Sequence, residues 1–388
     1  MPRRSTVSPK AGTKKGVPTV VTIIERTVSQ TAALVRPALI DCDLHNELHG
    51  DVWALVPYLP ERWRRHVETF GVRSPSGGFY PRFMDHRADA RPPSGRRAGS
   101  DVDFVREDYL DRCRVAYAIL NPLSPAASQT NLELGAALAT ACNDWQVAEW
   151  LDREPRLRAS IAVAIEAPDL AVAEIRRRAR DTRFVQVLFT GRPQEPMGRR
   201  KYWPIYEACE DLGLKVASHA FGSYGNPVTG AGWPSFYLED HVGPAQAMQA
   251  NIISLVTEGV FERFPGLQVI SVENGFAWLP SLCWRLDAAW SLLRDEVPHL
   301  SLAPSEYVHR HVWATTQPME EPHHPHQFAE MLDHLGPLVD RIVFASDYPH
   351  WDADQPDEAF PVRLGVEQAR KFYYANAATL YGFDSKSC

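Results

Sequence analysis

Two residues that could bind a cation stand two positions apart in the first strand-like segment of the sequence. Asp43 and His45 lie in the segment Leu39–Asn46, where apolar residues lead into an alternating run. Residues two apart on a strand project from the same face, so this carboxylate and this imidazole would lie side by side. Far along the chain, a second apolar segment, 341–346, leads into Asp347. The pattern predicts a shared metal site if the fold brings these ends together.

Strand-like and helix-like segments alternate from Leu39 onward. The first predicted strand begins at Leu39, and the others cover 115–120, 160–164, 184–189, 214–219, 267–273, 311–316 and 341–346. Helical patterns cover 131–154, 168–180, 203–212, 245–261, 279–295 and 366–381. Strict alternation indicates a parallel sheet, and eight units predict an α/β fold of the (β/α)8 TIM-barrel type. The runner-up, an open doubly wound sheet, would need a glycine-rich turn after its first strand, and the sequence has none there.

The chain of 388 residues is long enough for one large barrel, and 45% of its residues are hydrophobic. We expect residues 1–17 to form a disordered tail and residues 18–388 to form a metal-dependent amidohydrolase-like barrel. An insertion follows the first strand. It has a helical pattern over 51–67 and an irregular stretch rich in Gly, Pro, Arg and Ser over 73–101. Long irregular connections of this kind are usually functional or mobile.

Composition limits the partners and the compartment. The net charge of −7 gives no support for nucleic-acid binding, which usually needs a basic face. No apolar run approaches the ~20 residues of a membrane helix, so we expect no membrane association. Six scattered cysteines without a CxxC pair are typical of free thiols in a cytoplasmic protein. We expect a small-molecule substrate, and a homo-oligomer or a hetero-oligomer with a related subunit.

Side chains able to bind metal end four of the eight predicted strands. Active residues of a TIM barrel cluster at the carboxyl ends of its strands. Those ends carry Asp43 and His45 on the first strand, His219 on the fifth, Glu273 on the sixth and Asp347 on the eighth. A single strand-end acid or histidine is more often structural, but four together favour a metal site. Asp41 faces the same side but lies deeper, which indicates a structural hydrogen bond.

These motifs resemble the amidohydrolase superfamily. The superfamily's pattern is similar to three features of this chain: Asp-x-His on the first strand, His on the fifth, and Asp in Ala-Ser-Asp-Tyr-Pro-His on the eighth. Within the superfamily, the chain most resembles the branch typified by aminocarboxymuconate-semialdehyde decarboxylase. The segment 259–267, Gly-Val-Phe-Glu-Arg-Phe-Pro-Gly-Leu, also resembles that branch. The resemblance implies one divalent metal, commonly zinc, held by Asp43, His45, His219 and Asp347.

The chain departs from the family pattern at two positions. Asp43 stands where the family usually has the leading His of His-x-His, and Glu273 stands where it usually has a second catalytic His. Oxygen ligands favour Fe or Mn more than an all-imidazole site would. Glu273 could also bind a second metal. The cofactor is therefore predicted to be one or two divalent ions, Zn or alternatively Fe or Mn.

The predicted catalytic residues are Asp347 and Glu273. A bound metal would lower the pKa of a water molecule toward ~7, and Asp347 would bind the metal or act as a base. Glu273 would serve as a general acid or base, or as a metal ligand. His241, Trp233 and His350 are predicted to bind the substrate. A helix start is the alternative for His241, and contact with a second metal or capping of the following loop are the alternatives for His350.

A histidine-rich run follows the seventh strand, at 320–326. A solvated polar loop is the favoured interpretation of this run, and His324 would be the choice for a further metal ligand.

Three functional hypotheses follow. The first is a metal-dependent hydrolase that attacks a small organic substrate with metal-activated water, with decarboxylation as a variant. The second is a dinuclear Fe or Mn oxygenase on the amidohydrolase fold. The third is a catalytically silent subunit that supports an active partner, and the intact set of strand-end ligands argues against it.

Overall fold

The computed structural model describes residues 38–72, 86–190, 192–220 and 227–383. The predicted tail over 1–17 lies outside these residues, as does part of the predicted irregular stretch. The boundary of the barrel at residue 18 therefore stays a prediction.

Eight strands form one parallel sheet whose spatial order follows the chain. They are β1 Leu39–Leu44, β2 Val115–Leu120, β3 Leu157–Ala162, β4 Phe184–Thr190, β5 Lys215–His219, β6 Val269–Val272, β7 Val312–Thr315 and β8 Ile342–Val343. Most strand residues are buried, as expected when helices cover one side of a sheet and the barrel interior is filled with side chains.

Main-chain hydrogen bonds between β1 and the segment after β8 close the barrel. The Cys42 amide donates to the Phe344 carbonyl at 2.9 Å, and the Asp347 amide donates to the Asp43 carbonyl at 3.0 Å. The His45 amide donates to the Tyr348 carbonyl at 2.8 Å. The predicted (β/α)8 architecture is confirmed, and the closure sets the Asp43–His45 pair beside Asp347.

Helices join the strands and cover the outside of the barrel. They are α1 Glu61–Phe70, α2 Val102–Val105, α3 Leu132–Gln146, α4 Pro168–Arg178, α5 Trp203–Leu212, α6 Tyr237–Val242, α7 Pro244–Thr257, α8 Val260–Arg263, α9 Leu279–Leu293, α10 Pro304–His311, α11 Pro325–Leu335, α12 Val366–Arg370 and α13 Asn376–Tyr381. None of the helices within the described ranges combines the length and the apolar character needed to cross a bilayer.

Local sequence signals explain where several helices begin and end. The Asn131 side chain caps α3 by accepting a hydrogen bond from the Leu134 amide at 3.1 Å. Proline occupies the first position of α4, where its missing N–H removes no helical hydrogen bond. Gly213 ends α5 in the left-handed conformation, with φ of 69°.

The insertion between β1 and β2 returns to the barrel and packs against the strand ends. It contains a 3-10 turn over Asp51–Tyr58, then α1, and an irregular stretch over 86–101. Gly99 lies so close to the barrel that a Cβ there would be 2.8 Å from Pro349 and 2.9 Å from the His45 carbonyl. Only glycine fits this position, because its φ of 70° is also left-handed. The insertion is thereby held directly over the first-strand ligands.

Two helices in the last third of the chain were not predicted, and several predicted boundaries shifted. Helix α10 precedes β7, and α11 begins at Pro325, inside the run 320–326 for which a solvated polar loop was the favoured interpretation. The helix predicted over 245–261 is two helices, α7 and α8, because Gly259 between them takes the left-handed conformation, with φ of 77°.

Candidate metal centre

Four predicted ligands meet at the carboxyl end of the barrel. Asp43, His45, His219 and Glu273 each offer one donor atom, and these atoms all lie within 4.8 Å of one another. His219 Nε2 is 3.3 Å from His45 Nε2, 3.2 Å from Glu273 Oε2 and 3.7 Å from Asp43 Oδ2. The fifth predicted ligand, Asp347, joins them because its Oδ1 is 3.0 Å from His45 Nε2. The structure thus brings together all five residues that were predicted as metal ligands.

The backbone turns two of these side chains into the centre. Glu273 directly follows β6 with φ of 58°, and Asp347 follows β8 with φ of 59°. A left-handed conformation in a residue other than glycine costs about 1–3 kcal/mol and is concentrated at functional sites. At Glu273 the main-chain amide is held by the Thr315 hydroxyl, which accepts its hydrogen bond at 3.0 Å. The surrounding structure therefore holds both acids in an unfavourable backbone conformation that aims them at the histidines.

Asn121 orients both ligands of the first strand. Its side-chain amide donates to Asp43 Oδ1 at 2.8 Å, and its main-chain carbonyl accepts a hydrogen bond from His45 Nδ1 at 2.8 Å. With Nδ1 donating to this carbonyl, Nε2 is the ring nitrogen that would bind a cation, and it faces the other predicted ligands. Asn121 was not among the predicted residues, although it directly follows β2 and a search of strand ends for amides would have found it.

Besides its contact with His45, the Asp347 carboxylate accepts two hydrogen bonds. His350 Nδ1 donates to its Oδ1 at 2.7 Å, and Gln317 Nε2 donates to its Oδ2 at 3.2 Å. Gln317, two residues past β7, also donates to Asp352 at 3.2 Å. It was missed for the same reason as Asn121, since only titratable strand-end residues had been considered.

Burial and charge perturb the protonation of the ligands strongly. Burial raises the pKa of Asp43 to about 7, and the negative charge of Asp347 adds to this effect. Burial alone would lower the pKa of His45, but the negative charges of Asp43 and Asp347 outweigh it and raise that pKa to about 10. Burial, together with repulsion from His45, holds the pKa of the His219 imidazole well below its usual range.

The two acids at the sixth and eighth strands are shifted in opposite directions. Burial raises the pKa of the Glu273 carboxyl well above its ordinary value, and the charges of Asp347 and Asp43 raise it further. Burial would also raise the pKa of Asp347, but the charge and hydrogen bond of His350 and the hydrogen bond of His45 outweigh it, and the pKa falls below its ordinary value. Neighbouring ionisable residues whose pKa values are shifted in opposite directions are typical of functional sites.

The donor set fits a divalent cation. Asp43 Oδ2 and Glu273 Oε2 are both buried and make no hydrogen bond. A buried carboxylate oxygen without a partner is costly unless a cation or a proton compensates its charge. Two imidazoles and several carboxylates are suitable ligands for Zn, Mn or Fe. We conclude that this cluster is a candidate metal-binding site.

The predicted substrate-binding residues lie in different places. His241, on α6, donates from Nε2 to Asp352 at 3.2 Å, and its ring lies 5.5 Å from Tyr237 and 5.4 Å from Trp351 between centroids. The hydrogen bond to Asp352 raises the pKa of His241. Trp233 precedes α6 and is half exposed, and its role in binding substrate stays a prediction.

Two other predictions about individual residues have clear outcomes. Asp41 accepts hydrogen bonds from Tyr109 Oη at 2.7 Å and from the Ser346 hydroxyl at 2.6 Å, which confirms its structural role. His324 is exposed at the beginning of α11, where its ring stacks on that of His326. Among the described residues it belongs to none of the clusters that could hold a metal.

Comparison with known proteins shows the family. A family model described as Amidohydrolase matches residues 40–383. The chain is 25% identical over 305 residues to the gamma-resorcylate decarboxylase of Rhodococcus jostii (strain RHA1), across 73% of this chain and 88% of the relative. The chain therefore belongs to the amidohydrolase family, and the resemblance inferred from its motifs is confirmed. It is an enzyme of the amidohydrolase fold.

Solved structures share this fold. The dihydroxybenzoic acid decarboxylase of Polaromonas sp. JS666, with bound manganese and the inhibitor 2-nitroresorcinol, matches with a TM-score of 0.64 and 18% identity, covering 90% of this chain and 99% of that one. The 5-carboxyvanillate decarboxylase of Sphingomonas paucimobilis matches with a TM-score of 0.62 and 22% identity, covering 89% and 99% of the two chains.

Proposed function

We propose that the chain is a metal-dependent lyase that removes carbon dioxide from a hydroxylated aromatic acid. One observation carries the proposal: the buried carboxyl group of Glu273 lies at the predicted metal site, with its Oε2 3.2 Å from Nε2 of the predicted ligand His219. Decarboxylation needs a proton donor at the substrate, and this group is placed to be one. The relatives named above are decarboxylases, which supports this variant of the first hypothesis over hydrolysis.

Asp43, His45, His219 and Asp347 would hold the cation. When bound, a divalent cation there would neutralise the negative charge of the substrate's carboxylate and hydroxyl oxygens. Manganese is our choice, because carboxylate ligands suit it and the Polaromonas relative binds it. Asn121 and His350 keep their ligands in the orientation that binding requires.

Glu273 is the proposed proton donor. The carboxyl group of Glu273 donates its proton to the ring carbon that carries the substrate carboxylate. The bond from that carbon to the carboxylate then breaks, its electron pair stays with the ring, and carbon dioxide leaves. Glu273 regains a proton from solvent before the next turnover. Asp347 stays ionised, holds the cation and fixes the substrate beside Glu273.

Aromatic side chains near the site suit a planar substrate. Tyr237, His241 and Trp351 lie next to one another, and Asp352 fixes His241. We propose that they form one wall of the substrate site, with Trp233 at its outer edge. Offset stacking on such a wall would orient the ring for protonation.

A direct assay tests the proposal. The protein, depleted of metal and reloaded with Mn²⁺, is incubated with gamma-resorcylate, with 5-carboxyvanillate and with a panel of other hydroxybenzoates. We expect metal-dependent release of carbon dioxide, with the matching phenol as product on liquid chromatography. The proposal is overturned if the metal-loaded protein decarboxylates no member of the panel. The two-metal oxygenase of the second hypothesis stays a prediction, and oxygen consumption in the same assay would indicate it.

A further inference from the structure

A second group of metal-ligating side chains lies beside the first. Glu47, His86 and His350 are all buried, with exposures of 8%, 8% and 7%. Each offers a donor atom, and these atoms lie within 4.8 Å of one another. None of the three belongs to the donor set assigned to the first cation. Two imidazoles and one carboxylate form a ligand set that Zn and Fe(II) both use in enzymes.

Three separate parts of the chain build this second cluster. Glu47 follows β1, His86 comes from the insertion, and His350 follows β8. Main-chain contacts hold them together: the Glu47 amide donates to the Gly99 carbonyl at 2.8 Å, and His86 and His350 pair through an antiparallel bridge. The backbone of all three donors is therefore fixed.

The donor atoms are close enough to share one ion. Glu47 Oε1 is 3.8 Å from His86 Nε2 and 3.9 Å from His350 Nε2. Ligands about 2.1 Å from one ion lie roughly 3–3.6 Å apart, so a small inward movement of these side chains would complete the site.

The second polar atom of Glu47 and that of His350 each contact another residue, which directs the proposed donor atoms toward one another. Glu47 Oε2 lies 3.4 Å from Arg97 Nε, which leaves Oε1 directed at the two histidines. His350 donates from Nδ1 to Asp347 Oδ1 at 2.7 Å, so its lone pair is on Nε2, the atom that faces Glu47. A carboxylate that orients a ligating histidine in this way is a common feature of metal sites.

We propose that Glu47, His86 and His350 form a second metal site, which binds a first-row divalent cation next to the site of Asp43, His45 and His219. Asp347 would connect the two sites, because its Oδ1 contacts both His45 Nε2 and His350 Nδ1. The enzyme would then hold two ions per chain. The proposal does not depend on which reaction the first site performs.

Metal stoichiometry tests the second site. Protein loaded with excess Mn²⁺ or Zn²⁺ and freed of unbound ions is expected to hold two ions per chain, and crystals should give two anomalous peaks at the metal edge. Glu47→Gln and His86→Gln are each expected to hold one, with the peak between Glu47 and His350 lost. His334→Gln is the matched control, since His334 is exposed on α11 and should leave both ions in place.

One ion per chain in the wild-type protein and in both variants would overturn the second site. That result would leave the proposed decarboxylase intact, because decarboxylation needs only the first ion. If the protein binds two ions but decarboxylates no member of the panel, the second site stands and the proposed decarboxylase is overturned. If the variants do not fold, the anomalous peaks of the wild-type crystal decide the question alone.

Discussion

The Asn121 side chain donates a 2.8 Å hydrogen bond to Asp43, and the Asn121 main-chain carbonyl accepts one from His45. The side chain of one residue at the end of β2 thus fixes the rotamer of the predicted ligand Asp43, and its main chain orients the ring of the predicted ligand His45. Asn121 is held in turn by Ser160 and Gln186, whose side chains both donate to its Oδ1, at 2.5 and 3.1 Å. The first-strand ligands are therefore positioned by a buried polar network.

Asn121→Ala should weaken metal binding. Removing such a supporting contact typically costs about 10–100-fold in metal affinity. Competition with a chelator, followed by the ion content of the protein, measures the change. Asn376→Ala is the control, because Asn376 is a buried asparagine that donates to the Ile342 carbonyl away from the site. Equal affinities in wild type and Asn121→Ala would contradict the role given to Asn121.

His219→Ala and Asp347→Ala should remove the first ion and leave a folded barrel. Each variant deletes a donor that lies at the centre of the cluster, and the buried acids then lose the cation that compensates their charge. Elemental analysis measures the ion content, and circular dichroism checks the fold. Full metal content in both variants would show that the first site is wrong.

Glu273→Gln should abolish turnover while the first ion is retained. The amide keeps the size and the hydrogen-bonding oxygen of the side chain but has no acidic proton, and loss of a general acid typically lowers kcat by about 100-fold or more. Steady-state kinetics and elemental analysis are measured on the same preparation. Unchanged kcat would assign Glu273 a structural role, whereas lost metal would identify it as an essential ligand.

Strand order and the residues that gather at the candidate metal centre were predictable because they depend on local patterns. Parallel strands buried on both sides are continuous apolar runs, and β2 was predicted with its observed bounds, 115–120. The short β8 was predicted too long, since the residues after Val343 leave the sheet to close the barrel on β1.

Other parts of the site depend on contacts between distant segments. His86 lies in an irregular stretch, and only the folded insertion brings it to Glu47 and His350. The left-handed conformation of Glu273 and Asp347 was also not predicted, because only a few per cent of residues other than glycine adopt it. Tertiary packing decided these features.

Glu154→Gln should destabilise the barrel in a manner that depends on pH. Glu154 lies between α3 and β3, where its carboxylate accepts hydrogen bonds from Arg156 Nε at 2.9 Å and Arg106 Nε at 2.8 Å. Burial would raise its pKa, but these hydrogen bonds outweigh burial and lower the pKa from 4.5 to about 2. A lowered pKa in the folded state stabilises the protein above pH 4.5, and this contribution is lost as pH falls toward 2.

The variant should therefore lose about 1–3 kcal/mol at pH 7, a range reduced from the full shift because both arginines are partly exposed. The difference from wild type should shrink as the pH falls below 4.5. Urea unfolding at pH 7, 5 and 3.5 measures it, with Glu61→Gln on the exposed face of α1 as the control. A loss of the same size at all three pH values would show that the carboxylate charge does not stabilise the fold.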